Sequence, residues 1–114
     1  MIFYQYKAKV IKIVDGDTVV ANIDMGFDTY VQKYVRLALI NAPELNSSDP
    51  EVRVKAQKAK SYLEQILPIG SEFYLDSRKL DPYRRPIAVI VLPGKDKTVN
   101  ALMLESGNSV PYKG

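Results

Sequence analysis

The 114-residue sequence contains no cysteine, no histidine and no tryptophan. Without cysteine there can be no disulfide bond, thiolate nucleophile or cysteine-ligated zinc. Without histidine there can be no Ser-His-Asp triad, imidazole general base or histidine-ligated metal. Any catalysis must therefore use carboxylate, guanidinium, amine, hydroxyl or phenol groups, or a hard metal ion bound by oxygen ligands.

Strong charge and long hydrophobic runs are also missing. The net charge of +3, from 16 basic and 13 acidic side chains, permits a polyanionic partner without requiring one. No apolar run approaches the roughly 18–20 residues of a membrane span, and no signal peptide is visible at the N-terminus. We expect a single domain over residues 1–114. We also expect a cytoplasmic monomer without membrane contact or small-molecule cofactor, with secretion after processing left open.

Alternation of apolar and polar residues predicts three strands in the first third of the chain, at 4–14, 18–25 and 30–40. Asp15-Gly16 predicts a hairpin between the first two, because both positions tolerate a positive φ. Residues 26–28 allow the next reversal.

The hydrophobic period then changes to that of a helix. Asp49, Pro50 and Glu51 are typical of a helix N-terminus, and the helix should end near Leu67. Two more strands are predicted at 72–76 and 87–92, and a short helix at 99–105. The order favours an α+β, mainly β fold: a five-stranded OB-type Greek-key barrel with one helix inserted after strand 3 and a short C-terminal helix. The alternative is another α+β meander.

Asp15-Gly16-Asp17 places two carboxylates at a strand reversal. Carboxylate oxygens at a sharp turn are suited to a hard metal such as Ca²⁺. The competing interpretation is a plain hairpin turn.

A second segment joins a charged strand residue to a polar loop. Arg36 lies among apolar neighbours and needs a partner or a ligand, and Asn41 and Glu44 follow the strand, where loops tend to carry function. The alternative is an edge-strand arginine paired with a nearby carboxylate, with Glu44 simply solvated.

Two further segments could contact a nucleotide. Arg84 and Arg85 follow Tyr83 in a loop, and a guanidinium matches phosphate oxygens while an aromatic ring can stack on a base. Tyr112 near the C-terminus could border the same site. The competing interpretations are a solvated basic turn and a disordered chain end.

Taken together, these segments resemble the motifs of the staphylococcal nuclease (thermonuclease) family, in particular its short bacterial and phage members. Residues 13–19 look like its first motif, 35–44 like its second and 81–88 like its third, and 99–107 resemble its late helix. The resemblance implies the OB barrel and a Ca²⁺-dependent cleavage of DNA and RNA with little sequence preference, which leaves 3′-phosphate ends.

The resemblance also implies roles for individual residues. Asp17 would be the carboxylate metal ligand, Asn41 would take the position of the second metal carboxylate, and Ala42 would offer its backbone carbonyl. Glu44 would act as general base or orient the attacking water, and Arg36 and Arg85 would bind the phosphate and stabilise the transition state. The substrate contacts would be Tyr83, Arg84 and Tyr112.

The sequence departs from the family pattern at three of these positions. Asn41 replaces an aspartate and removes one metal charge, Ala42 replaces a residue that is often threonine, and Arg84 replaces the usual glycine. These departures leave two alternatives to an active nuclease. One is a non-catalytic nuclease-like domain that binds nucleic acid or a protein with a degenerate metal site. The other, a general single-strand-binding OB module, leaves Glu44 and the Asp-Gly-Asp turn unexplained.

Overall fold

A computed structural model describes residues 4–112 of the chain. The elements, in chain order, are β1 (Tyr4–Asp15), β2 (Thr18–Asp24), β3 (Tyr30–Leu37), β4 (Ile40–Asn41), α1 (Pro50–Ile66), β5 (Glu72–Leu80), β6 (Pro86–Val91), α2 (Val99–Glu105) and β7 (Val110–Pro111).

Five of the strands close into a barrel in the order β1-β2-β3-β6-β5. All neighbours are antiparallel except β3 and β6, which pair in parallel through Arg36 with Ile87 and Leu37 with Ala88. With α1 inserted between β3 and β5, this is the OB-type barrel that the sequence predicts. The parallel pair matters for function because it brings the end of β3 beside the start of β6.

The barrel interior is filled by the apolar half of each alternating strand. Its largest fully buried side chains include Phe73, Ile13, Leu37, Leu75 and Ile90. In β6, buried and partly exposed residues alternate, as expected for a strand whose successive side chains point to opposite faces of the sheet. None of the helices in the range 4–112 is long and apolar enough to cross a membrane.

Helix α1 begins and ends where its sequence signals predict. The Asp49 side chain accepts a hydrogen bond from the Glu51 backbone N–H at 2.9 Å, Pro50 occupies the first turn, and Leu67 caps the C-terminus. The buried face of the helix consists of Ala56, Ala59 and Leu63. The two alanines allow the helix to approach the barrel closely.

The prediction of one continuous strand over 30–40 is wrong. β3 ends at Leu37, and the chain turns through Leu39, whose φ is +65°, before the short strand β4. β4 pairs with β7, where Ile40 faces Pro111 and Asn41 faces Val110. The segment 110–111 is therefore a strand and not a disordered end. The fourth predicted strand also continues beyond residue 76, to Leu80.

The reason given for Gly16 in the first turn is also wrong. Neither Asp15 nor Gly16 has a positive φ. A Cβ atom at Gly16 would instead lie 2.8 Å from the Cβ atoms of both Ala42 and Ala59. Glycine is needed here because α1 and the β4 segment press against the turn.

Gly16→Ala should therefore destabilise the protein by about 1–3 kcal/mol, the usual cost of overpacking a tight contact. Part of the penalty should disappear in an Ala59→Gly background, which removes one of the two opposing methyl groups. Urea unfolding of the four proteins in this double-mutant cycle measures the coupling. An equal cost of Gly16→Ala in both backgrounds would show that the contact with α1 does not constrain this position.

Candidate active site

Six of the nine predicted site residues line one cavity of about 480 Å³ beside the β3–β6 pair: Arg36, Asn41, Glu44, Tyr83, Arg85 and Tyr112. They come from β3, β4, the loop after β4, the β5–β6 loop and the residue after β7. Segments that are more than 70 positions apart in the sequence therefore meet at one end of the barrel. Asp17 and Ala42 adjoin this group, and Arg84 lies outside the cavity lining.

Arg36 connects the cavity to the carboxylate of Asp17. Its Nη1 lies 3.3 Å from Asp17 Oδ2 and donates to the backbone carbonyl of Leu37 at 3.2 Å. Its Nη2 donates to Asn41 Oδ1 at 3.2 Å. The expected carboxylate partner of this arginine is thus present. Nη2 retains a second N–H group, which could donate to a substrate oxygen.

The predicted metal ligands lie next to one another. Asp17 is only 7% exposed, and its carboxylate accepts hydrogen bonds from the Thr18 hydroxyl at 3.0 Å and from the backbone N–H of Ala42 at 2.9 Å. Arg36 bridges this carboxylate to the Asn41 amide. The first motif and the segment after β3 therefore form one polar corner.

Asp15 belongs to this corner, although the site prediction omitted it. Burial, together with a hydrogen bond to Asp17 and the charge of that neighbouring carboxylate, raises the pKa of Asp15 to about 7. Two carboxyl groups this close cannot both ionise easily unless a positive charge compensates them. The Asp15-Gly16-Asp17 spacing was the available signal, because the turn brings both carboxylates to the same end of the hairpin.

The donor chemistry of this corner fits a hard divalent cation. Carboxylates from Asp15 and Asp17, the amide oxygen of Asn41 and the carbonyl of Ala42 are oxygen ligands of the kind that Ca²⁺ takes. Within residues 4–112, no group of three or more acidic, histidine or cysteine side chains could hold a metal alone. A cation here would therefore depend on neutral protein oxygens, water or substrate oxygens to complete its coordination.

Arg85 is held in place by Asp81, a residue for which the sequence predicts no role. Asp81 Oδ1 accepts hydrogen bonds from the backbone N–H groups of Tyr83 at 2.9 Å and Arg85 at 2.8 Å, and Oδ2 binds the Arg85 side chain. Burial alone would raise the pKa of Asp81, but the hydrogen bonds and charge of Arg85, with the Tyr83 N–H, hold it below its usual value. An Asp-Pro pair is a turn-initiating signal, so this interaction could have been anticipated.

Each arginine of the cavity lies against a tyrosine ring. The Arg36 guanidinium carbon is 5.8 Å from the centroid of the Tyr112 ring, and that of Arg85 is 5.7 Å from the Tyr83 ring. Both rings remain largely exposed, Tyr83 at 81% and Tyr112 at 49%. The arrangement offers two cationic groups for phosphate oxygens and two aromatic faces for bases.

Glu44 is the carboxylate in the cavity without a partner. It follows Pro43 in the loop after β4 and is exposed. Its side chain makes no hydrogen bond or ion pair with any residue in the described range. Such a group is free to accept a proton or to orient a water molecule.

Arg84 is exposed and adopts a φ of +67°, in the left-handed region that favours glycine. We expect Arg84→Gly to be more stable than Arg84→Ala by about 1 kcal/mol, because both changes remove the same side chain and only glycine relieves the strain. Urea unfolding of the two variants provides the comparison. At positions with a negative φ, alanine is usually more stable than glycine. If Arg84→Ala is more stable than Arg84→Gly here as well, this backbone conformation is not strained.

Comparison with known proteins agrees with the OB-type barrel. The model of the staphylococcal nuclease homologue family matches residues 34–113, more than two thirds of the chain, and no curated protein matches. The OB-type barrel and the family match together define a nuclease-like domain. The chain belongs to the staphylococcal nuclease homologue family. The matched segment contains every predicted site residue except Asp17, which precedes it.

Proposed function

We propose that the protein is a Ca²⁺-dependent phosphodiesterase that hydrolyses DNA or RNA with little sequence preference. The observation that carries this proposal is the convergence of Arg36, Arg85 and Glu44 on one cavity beside the Asp15–Asp17 corner. Family membership supports a nucleic acid as the substrate. The exposed tyrosines support contacts to bases that do not depend on sequence, since every base has a face on which to stack.

The two arginines would bind the phosphate. Arg85 is presented by a turn that Asp81 fixes, and Arg36 by the end of β3. Both can donate to non-bridging oxygens of the phosphate, and their interaction strengthens as negative charge develops during attack. Because both are already held by carboxylates, little reorganisation is needed when substrate binds.

Glu44 would prepare the nucleophile. Its exposed carboxylate can accept a proton from a water molecule between the loop and the phosphate, so that the water oxygen attacks phosphorus as the bond to the 5′ oxygen breaks. The leaving 5′ oxygen then takes a proton from solvent water. A divalent cation bound by Asp17, Asn41 and Ala42, with Asp15 beside them, would supply charge neutralisation to the phosphate. The resulting chain ends would be a 3′-phosphate and a 5′-hydroxyl.

The chemistry of the ends tests this proposal. An end-labelled oligonucleotide digested in Ca²⁺ should give fragments whose mobility changes on treatment with a 3′-phosphatase. Fragments with 5′-phosphates would contradict the proposed cleavage of the bond between phosphorus and the 5′ oxygen. Binding of the oligonucleotide with no cleavage would favour the alternative, a non-catalytic nuclease-like module.

Asn41→Asp should strengthen Ca²⁺ binding in the absence of substrate. The amide supplies no formal charge, and ligand charge is a main determinant of Ca²⁺ affinity. We expect a dissociation constant of roughly 10⁻⁴–10⁻³ M for the unmodified protein, a range typical of weak sites, and a lower value for the variant. Calorimetric titration of both proteins measures the difference. Tight binding that Asn41→Asp leaves unchanged would show that the metal is held elsewhere.

A further inference from the structure

A second cavity, of about 630 Å³, borders the ribbon that β4 forms with β7. Its walls come from α1, from the segment after β4 and from the loop that follows α2. Asn41 lines this cavity and also the cavity that contains Arg36 and Arg85. The two cavities therefore adjoin at Asn41.

The second cavity is positively charged. Lys55 and Lys58 line it, three residues apart and thus on the same side of α1. No acidic side chain lines it, and neither lysine forms an ion pair or hydrogen bond within the part of the chain that the structure covers. Two unpaired ammonium groups beside one cavity favour an anionic ligand.

A buried hydroxyl group points to a ligand independently of the lysines. Ser109 lines the cavity and is 7% exposed. Its Oγ is buried and has no hydrogen-bond partner among residues 4–112. Leaving a buried hydroxyl unsatisfied is unfavourable, and a turn of the Ser109 side chain toward the cavity would let a ligand oxygen accept its hydrogen.

We propose that this cavity is a second phosphate subsite. It would bind a backbone phosphate of the same nucleic-acid strand whose neighbouring phosphate lies between Arg36 and Arg85. The inference rests on the proposed function, because it assigns the ligand by continuity with that cavity. Lys55 and Lys58 supply the charge and Ser109 supplies a hydrogen bond. The substrate is consequently a polynucleotide long enough to reach both cavities.

Binding measurements with a chelator present, which prevents cleavage, test this proposal. The probe is a fluorescein-labelled single-stranded DNA of about 12 nucleotides, within the usual range of single-strand sites, followed by fluorescence anisotropy. We expect Lys55→Gln/Lys58→Gln to weaken binding about ten-fold at low salt. The slope of log K against the logarithm of the salt concentration should become shallower by roughly 0.7 for each phosphate that the variant no longer neutralises.

The matched control removes the same charge elsewhere. Lys12 and Lys33 are exposed on the barrel and line neither cavity, so Lys12→Gln/Lys33→Gln should change the affinity less than two-fold. Equal reductions in affinity for the two double variants would overturn the proposal, because the lysines of α1 would then act through net charge alone. Failure of the unmodified protein to bind the oligonucleotide would overturn it as well.

Ser109→Ala separates binding from stability. Because the hydroxyl is unsatisfied in the free protein, its removal should leave the melting temperature unchanged or raise it, yet weaken oligonucleotide binding several-fold. A lower melting temperature with unchanged binding would show that the hydroxyl stabilises the fold and contacts no ligand.

Shorter competitors identify the source of the phosphate. Inorganic phosphate and a dinucleotide should displace the labelled DNA poorly, and the double lysine variant should alter the dinucleotide affinity little. Displacement by inorganic phosphate as effective as that by the oligonucleotide would indicate a site for free phosphate and contradict the proposal.

If the lysine and serine variants weaken binding as expected while no cleavage occurs in Ca²⁺, the subsite stands and the proposed phosphodiesterase activity fails.

Discussion

Replacing Glu44 with glutamine should lower the rate of phosphodiester hydrolysis by roughly 10²–10⁴, the range expected on loss of a general base. The amide keeps the shape of the side chain but cannot accept the proton. Because Glu44 is exposed and has no partner in the described range, its replacement should not alter the unfolding midpoint. Turnover under saturating DNA, measured beside urea unfolding, gives both quantities.

Glu64→Gln is the matched control for this change. Glu64 is also exposed, lies on α1 and lines neither cavity, so the substitution should leave turnover within two-fold. A Glu44→Gln protein that folds normally and cleaves at the unmodified rate would remove Glu44 from the mechanism.

Replacing Arg36 with alanine should lower the rate by about 10²–10³, the usual loss for one preorganised donor, and should also destabilise the fold. The substitution leaves the buried carboxylate of Asp17 without its ion-pair partner, at a cost of about 1–3 kcal/mol. Arg85→Ala should lower the rate comparably and should also destabilise the fold, because it leaves the Asp81 carboxylate, which is only 7% exposed, without its ion-pair partner. Turnover and urea unfolding of both variants separate the two effects.

Lysine should be a poor substitute at either position, because it lacks the planar fork that a phosphate accepts. Arg84→Ala provides the comparison within the same loop. It should change KM and the salt dependence of binding more than kcat, since Arg84 lies outside the cavity lining. Similar kcat values for the Arg36, Arg85 and Arg84 alanine variants would contradict the assignment of the first two to the transition state.

The barrel was predictable from the sequence because strand alternation and helix capping are local signals. Asp49 and Pro50 define the start of α1 through their own chemistry, and the alternation of apolar and polar residues along β1 defines its buried face. The turn at Leu39 was not predictable, because leucine rarely adopts a positive φ. Its conformation follows from the pairing of β4 with β7, which is a tertiary interaction.

The residues of the site were predictable from the sequence, but the contacts that hold them in place were not predicted. The motif resemblance selected Arg36, Asn41, Glu44 and Arg85, which meet because β3 and β6 pair in parallel. It missed the support of Arg85 by Asp81, which depends on the shape of one turn. It also missed the packing role of Gly16, which depends on the approach of Ala59. The approach of Ala59 to Gly16 joins segments that are far apart in the chain, so no pattern within one segment encodes it, whereas the contact of Asp81 with Arg85 is local to one turn.

The most direct test of the central claim is a digest of heat-denatured DNA by the purified protein in Ca²⁺ and in chelator, with Glu44→Gln in parallel. The account predicts cleavage by the unmodified protein in Ca²⁺, none in chelator, and a rate at least about 10² lower for the variant. Cleavage that persists in chelator, or that Glu44→Gln leaves unchanged, would contradict it.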